Sequence, residues 1–200
     1  DSGIVLSGDI TSNNTGSAGA IAFTGPITLA DTSSDSVTID ADQHVNTTVT
    51  FNSTATVNAA TSGGQSLVID TDAGAIAMQG AIGGSTALNA LTVNADGAGT
   101  IEIANIGTSS AAGVTGATAI GNTSTGTLTL DGSAYTTTGT QTYKGASGGS
   151  NIVISGTAPT FTTTNTSIAF NTSDVTLANS GTTTINTCLL YTSDAADDPT

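Results

Sequence analysis

The residues of this 200-residue chain best suited to chemistry are aspartates, and they come in pairs two positions apart. Asp40 and Asp42 form one pair, Asp70 and Asp72 another, and Asp96 follows Asn94 at the same spacing. Carboxylates set out in this way offer hard oxygen ligands of the kind calcium takes. No complete EF-type loop can be built, because Ala73, Gly74 and apolar sequence follow Asp72 and no terminal Glu closes the loop. The glycine-rich nonapeptide of calcium-binding repeat proteins is also missing. A cation site would therefore have to lie between stacked units, with Asp40, Asp42, Asp70, Asp72 and Asp96 as its candidate ligands. The favoured alternative is an Asx ladder, in which each Asp or Asn at a strand exit bonds the backbone of its own turn. On that reading the chain has no cofactor, with calcium as the alternative.

Catalysis has less to work with. A nucleophile–base pair needs His, Cys or Lys beside a hydroxyl or carboxylate, and the chain offers His44 and Lys144. His44 follows Asp40 and Asp42, but the turn residues there break the strand that would align the three. A solvated turn histidine is the expectation. A glycan-active β-helix enzyme would need acidic residues beside Arg or Lys on one face, and this chain has no Arg. The chain is expected not to be an enzyme, and no catalytic residue is assigned. Tyr135 and Tyr143 flank Thr136–Gln141; exposed, they would suit a sugar, and equally they could face inward or cap a loop. Sequons such as Asn52-Ser53-Thr54 follow from the abundance of Asn, Ser and Thr alone.

The elements that must position these residues repeat. Val37-Thr38-Ile39-Asp40-Ala41-Asp42, Leu67-Val68-Ile69-Asp70-Thr71-Asp72 and Leu91-Thr92-Val93-Asn94-Ala95-Asp96 are copies of one module, and Leu128-Thr129-Leu130-Asp131 is a weaker one. The second and third copies align onward, with Leu67 on Leu91, Ile69 on Val93, Asp72 on Asp96, Ile76 on Ile101 and Met78 on Ile103. This sets a unit of roughly 24 residues, within the range of solenoid repeats. Gly19–Ile27 echoes Gly74–Ile82 at a little over two units. Apolar residues alternate as i, i+2 pairs: Ile21/Phe23, Ile27/Leu29, Val37/Ile39, Val49/Phe51, Ile76/Met78, Ile101/Ile103, Leu128/Leu130, Ile168/Phe170 and Val175/Leu177. That is the strand period with one face buried. Gly, Asn, Asp and Ser stand between the pairs at turn positions, and no window holds helical spacing. Two inward residues per strand and 4% aromatics are too few for a sandwich, but they suffice where each coil stacks on the next. The spacing predicts an all-β protein, a parallel β-helix of seven or eight coils.

Composition narrows the partners. The net charge is −14 with one basic residue, Lys144. That excludes a phosphate-binding surface, so no nucleic acid is expected as a partner. It also argues against attraction to anionic lipid. No stretch approaches the ~20 apolar residues of a membrane span, so no membrane insertion is expected of this segment. The bland role of the acidity is solubility in a strand-rich protein. The chain starts in mid-pattern at Ile4-Val5-Leu6 with no signal peptide or capping segment, as expected of an internal fragment.

At Cys188 the texture changes. Cys188–Asp197 resembles the translation of a transposase-type sequencing adapter, which the codons TGT CTC TTA TAC ACA TCT GAC GCT GCC GAC would encode. The resemblance implies a truncated environmental read. The native part is then 1–187, a solenoid fragment without cysteine, and 188–200 is a non-native tail expected to lack structure. Removing Asp194, Asp197 and Asp198 still leaves the native part strongly acidic.

Leu128-Thr129-Leu130-Asp131-Gly132 followed by Thr136-Thr137-Thr138-Gly139-Thr140-Gln141-Thr142-Tyr143-Lys144-Gly145-Ala146 resembles the repeats of filamentous-haemagglutinin-like and autotransporter-type bacterial surface proteins. Leu88-Asn89-Ala90-Leu91-Thr92-Val93 is similar to another of their phrases. The resemblance implies a right-handed parallel β-helix, secreted and displayed at the bacterial cell surface. It would be the stalk of a large adhesin whose partners are glycans or proteins of a host or neighbouring cell. A calcium-stabilised extracellular repeat module is the alternative.

Overall fold

The structure is a computed structural model that describes residues 3–12, 19–31, 35–42, 46–147, 151–164 and 166–188. His44 lies outside the described residues, as do 189–200, most of the expected tail. Among the described residues every regular element is a strand, twenty in all, and no helix is long and apolar enough to cross a membrane.

Every strand pairing is parallel, and the strands stack into three long sheets that the chain visits in rotation. The first sheet carries the aspartates. Its seven strands are Ile10–Thr11, Ser36–Ala41, Ser66–Thr71, Leu91–Ala95, Thr118–Ile120, Gln141–Lys144 and Ile168–Asn171. The second stacks Ala20–Phe23, Thr48–Phe51, Ile76–Met78, Ile101–Ile103, Leu128–Leu130, Ile152–Ile154 and Val175–Leu177. The third begins with Ile4–Leu6, Ile27–Leu29 and Val57–Ala59. It thins to single bridges at Ile82 and Ile106, and resumes through Ala134–Thr136, Thr160–Thr164 and Thr184–Cys188. The chain is a parallel β-solenoid, as the repeat predicted.

The expected alignment holds residue by residue where two and three coils meet. Leu67 pairs with Leu91, Ile69 with Val93, Ile76 with Ile101 and Met78 with Ile103. The longer echo is a two-coil step: Ile21 pairs with Val49 and Val49 with Ile76, while Ile27 pairs with Val57 and Val57 with Ile82. The uniform 24-residue coil does not hold. Val37 pairs with Leu67, thirty residues on, and Leu91 with Thr118, twenty-seven on. Corner loops differ in length while the strands keep register, because corners face water and strands face the core. The weaker module is also reassigned. Leu128–Leu130 stacks on Ile101–Ile103 in the second sheet, and Thr118–Ile120 continues the aspartate-bearing sheet.

Alternation explains the core. In Ser66–Thr71, Leu67, Ile69 and Thr71 point inward and are buried, while Ser66, Val68 and Asp70 point outward. In-register stacking places like residues over like, and strands about 4.8 Å apart bring flat rings face to face. Phe23 stacks on Phe51 with ring centroids 4.7 Å apart, Tyr135 on Phe161 at 4.6 Å, and Tyr143 on Phe170 at 5.2 Å. Tyr135 and Tyr143 are fully buried, so of their open alternatives they take the inward one.

The corners are held by short polar residues. Threonine hydroxyls donate to a carbonyl of the preceding coil: Thr54 to Thr24, Thr125 to Ala95, Thr136 to Thr108 and Thr166 to Thr138. Asn58 Oδ1 accepts from the backbone N–H of Ser85 and Thr86 one coil on, and Asn105 Oδ1 does the same for Ser133 and Ala134. Where two backbones nearly touch, only glycine fits. A Cβ on Gly132 would lie 1.9 Å from the Ala104 carbonyl oxygen, and one on Gly156 would lie 2.0 Å from that of Gly132.

Candidate functional site

The outward row of the first sheet collects the candidate ligands. Asp40 pairs with Asp70, and Asp70 with Asn94, so these side chains form one column on adjacent strands. Asp42, Asp72 and Asp96 follow at the ends of the same three strands, where the chain leaves the sheet. The solenoid thus gathers on one corner five carboxylates that lie up to 56 residues apart in sequence.

Their environments differ. Asp40 Oδ1 accepts from the Asp42 N–H at 3.3 Å, the turn bond expected of an Asx ladder. Asp96 Oδ1 accepts from the Asn122 side-chain amide of the next coil at 2.5 Å. Asp70 Oδ1 is buried and has no hydrogen-bond partner among the described residues. Burial first, and then the charges of Asp96, Asp42 and Asp40, together lift the Asp70 carboxyl from its ordinary value to about 6. The cleanest Asx turns fall on asparagines. Asn52 Oδ1 accepts from the N–H groups of Thr54 and Ala55, and Asn122 Oδ1 from those of Ser124 and Thr125. The ladder is therefore discontinuous, made at Asp40 and replaced at Asp96 by a bond between coils.

A second acidic site escaped sequence reasoning. Burial and the neighbouring Glu102 raise the Asp131 carboxyl above its ordinary value. The two share the outer surface of the second sheet, one coil apart. The signal was Glu102, the chain's only glutamate, standing between Ile101 and Ile103. Among the described residues no group of three or more His, Cys, Asp or Glu is arranged to hold a metal ion.

The Thr-Gly-x-Gln-x-Tyr phrase forms a buried polar hub. Gln141 is fully buried, and its side-chain amide donates to the carbonyls of Tyr135 and Thr162, each at 2.8 Å. Its carbonyl accepts the Tyr143 hydroxyl at 2.9 Å. The Tyr135 hydroxyl donates to the Ile103 carbonyl and accepts from Gly132 N–H. Burial raises both phenols well above their ordinary value. They stay neutral at any physiological pH, so they serve as hydrogen-bonding core residues.

An open groove of about 510 Å3 crosses four coils where the third sheet thins, lined by Asn105, Thr108, Ser109, Ser133, Thr160 and alanine methyls. Asn105 Oδ1 is already committed to the next coil. No family model, no curated protein and no solved structure matches the chain.

Proposed function

We propose that this chain is a non-enzymatic stalk segment of a large, secreted bacterial surface adhesin of filamentous-haemagglutinin or autotransporter type. The observation that carries this reading is the three-sheet parallel stack around one continuous inward column. Such a stack is stiff along its axis, because every coil is hydrogen-bonded to both neighbours and buries its apolar residues against them. The buried Gln141–Tyr143 hub gives the phrase that resembles adhesin repeats a structural role, as a stalk requires. The surface is acidic and rich in Thr, with one basic residue, and its groove has no aromatic or charged lining. Receptor-binding parts would then lie elsewhere in the parent protein. The test is cell labelling. Antibodies against the purified chain should stain intact cells of a bacterium that carries the parent gene. Staining only after permeabilisation would sink the proposal.

A second reading, calcium stabilisation, is favoured by one observation: Asp70 Oδ1 is unpartnered beside Asp40, Asp42 and Asp96. Thermal melting followed by circular dichroism, with calcium and then with excess chelator, separates the two readings. The stalk reading expects identical melts, whereas a melt that collapses on chelation makes these aspartates ligands.

A further inference from the structure

Two aspartates of this chain are followed by glycine, in Asp96-Gly97 and Asp131-Gly132, and no asparagine is. Glycine has no side chain to shield its nitrogen, so an Asp-Gly link is the one whose backbone nitrogen most readily attacks the carboxyl carbon before it. The fold treats the two links in opposite ways. Asp96, Gly97 and Ala98 are all exposed, in the turn by which the chain leaves Leu91–Ala95. The Gly97 N–H makes no hydrogen bond among the described residues. Asp96 Oδ1 accepts from the Asn122 amide, which draws electron density from Cγ. Gly132, by contrast, is buried. Its N–H donates to the Tyr135 hydroxyl at 2.8 Å, and that hydroxyl donates to the Ile103 carbonyl at 3.0 Å. The Ala104 carbonyl oxygen closes the space beside Gly132. Burial and Glu102 raise the Asp131 carboxyl, which favours the neutral form that loses water, so protection of this link rests on its nitrogen.

We propose that Asp96-Gly97 is a site of spontaneous backbone rearrangement to isoaspartate, and that the Tyr135 hydroxyl holds Asp131-Gly132 against the same reaction. The Gly97 nitrogen attacks Asp96 Cγ. A new C–N bond forms, the N–H proton and the carboxyl OH leave as one water, and a five-membered imide results. Water then adds to either imide carbonyl and breaks one of its two C–N bonds. One cleavage restores aspartate; the other leaves the chain running through the former side chain, with the former main-chain carbonyl as a free carboxylate. No oxidant or cofactor takes part, and the product is an isomer of the parent. The product link is one backbone atom longer. It falls in a corner where Gly97 and Ala98 both have positive φ, 53° and 69°, a conformation that the Ala98 Cβ disfavours. Bonds from Asp96 N–H to the Thr71 carbonyl before the link, and from Ala98 N–H to the Ser124 carbonyl after it, tie both sides of the corner to neighbouring coils.

Ageing of the full chain at neutral pH in heavy-oxygen water tests this, with chelator present so that no cation holds the carboxylates. A parallel sample is unfolded in guanidinium, and both are incubated until each Asp-Gly link of the unfolded chain is half converted. Digestion with a protease that cuts before aspartate but not before isoaspartate, followed by mass spectrometry, reads each site. Conversion shows as a missed cut and one incorporated heavy oxygen. In the folded chain Asp96 should convert at a rate comparable to the unfolded chain. Asp131 should convert more than about tenfold more slowly, because the Tyr135 bond must open first. Asp96→Glu should abolish the signal at 96 and leave that at 131 unchanged. Tyr135→Phe should speed conversion at Asp131 alone. Protection of Asp96 as strong as that of Asp131 overturns the proposal, and so does conversion of both at one rate in the folded chain. An unchanged Asp131 rate in a folded Tyr135→Phe variant overturns the role given to Tyr135. Should that variant unfold, the comparison of the two sites in the parent chain still decides.

Discussion

At the scale of single residues, Asp70 and Gln141 make opposite use of burial. Asp70 carries a carboxylate whose buried Oδ1 has no hydrogen-bond partner among the described residues. Its folded pKa of about 6 lies above its ordinary value of 3.8, so the folded chain binds the proton more tightly than the unfolded one. Stability must then rise as pH falls from 7 through 6 toward 4, and be lost again as pH climbs back through 6. The site is partly exposed, so solvent screening cuts the effect to about 1 kcal/mol. Asp70→Asn should add that amount at pH 7, raise Tm by ~2–4 °C, and flatten the pH dependence of melting between pH 7 and 4. Gln141 is polar and fully satisfied. Gln141→Leu keeps the volume but strands the Tyr143 hydroxyl in the core, at a cost of ~2 kcal/mol. Adding Tyr143→Phe should recover about half of that loss in denaturant melts, since it removes the orphaned group. The aspartates were legible in the sequence as a repeated pattern. Their unequal environments were not, because what reaches each carboxylate comes from the neighbouring coils.

At the scale of elements, the apolar i, i+2 pairs marked their strands correctly, since side-chain alternation is a local property of extended backbone. Strands with polar inward residues went unmarked: Thr118 and Gln141 are buried where the pattern expects an aliphatic side chain. The corners were read as turns, but their role as stitching between coils depends on which coil lies beneath. Two substitutions measure that stitching. Thr125→Val removes the bond to the Ala95 carbonyl at 2.9 Å and should cost about 1 kcal/mol in chemical unfolding. Gly132→Ala forces a methyl to within 1.9 Å of the Ala104 carbonyl oxygen, so two coils must part. The expected loss is more than ~2 kcal/mol. Equal stability of Gly132→Ala and the parent would mean that the corner is looser than its geometry implies.

At the scale of the molecule, a solenoid is a sum of nearly equivalent coils, each supported by its neighbours. Deleting a whole coil should therefore leave a folded protein, whereas deleting half of one should not. Removing residues 76–100 joins Ala75 to Ile101, the residue stacked directly on Ile76, and every later strand drops by one step in register. The shortened chain should keep its strand-type circular dichroism and melt cooperatively. Removing 76–88 instead shifts later strands onto the wrong faces, and should abolish the cooperative melt. Failure of the whole-coil deletion to fold would show that the coils are not interchangeable.

The sequence by itself determined the class of object: all-β, parallel and coiled, with the register of its best copies readable to the residue. It could do so because stacked coils demand similar inward residues at similar positions, and that demand leaves a repeat in the primary structure. Only the tertiary structure decided coil lengths, the sheet to which Leu128–Leu130 belongs, the inward turn of both tyrosines and the burial of Asp70 Oδ1 beside other carboxylates. Each of these depends on what lies one coil above or below, 23 to 30 residues away, a distance over which corner loops lengthen and shorten without trace in the local pattern.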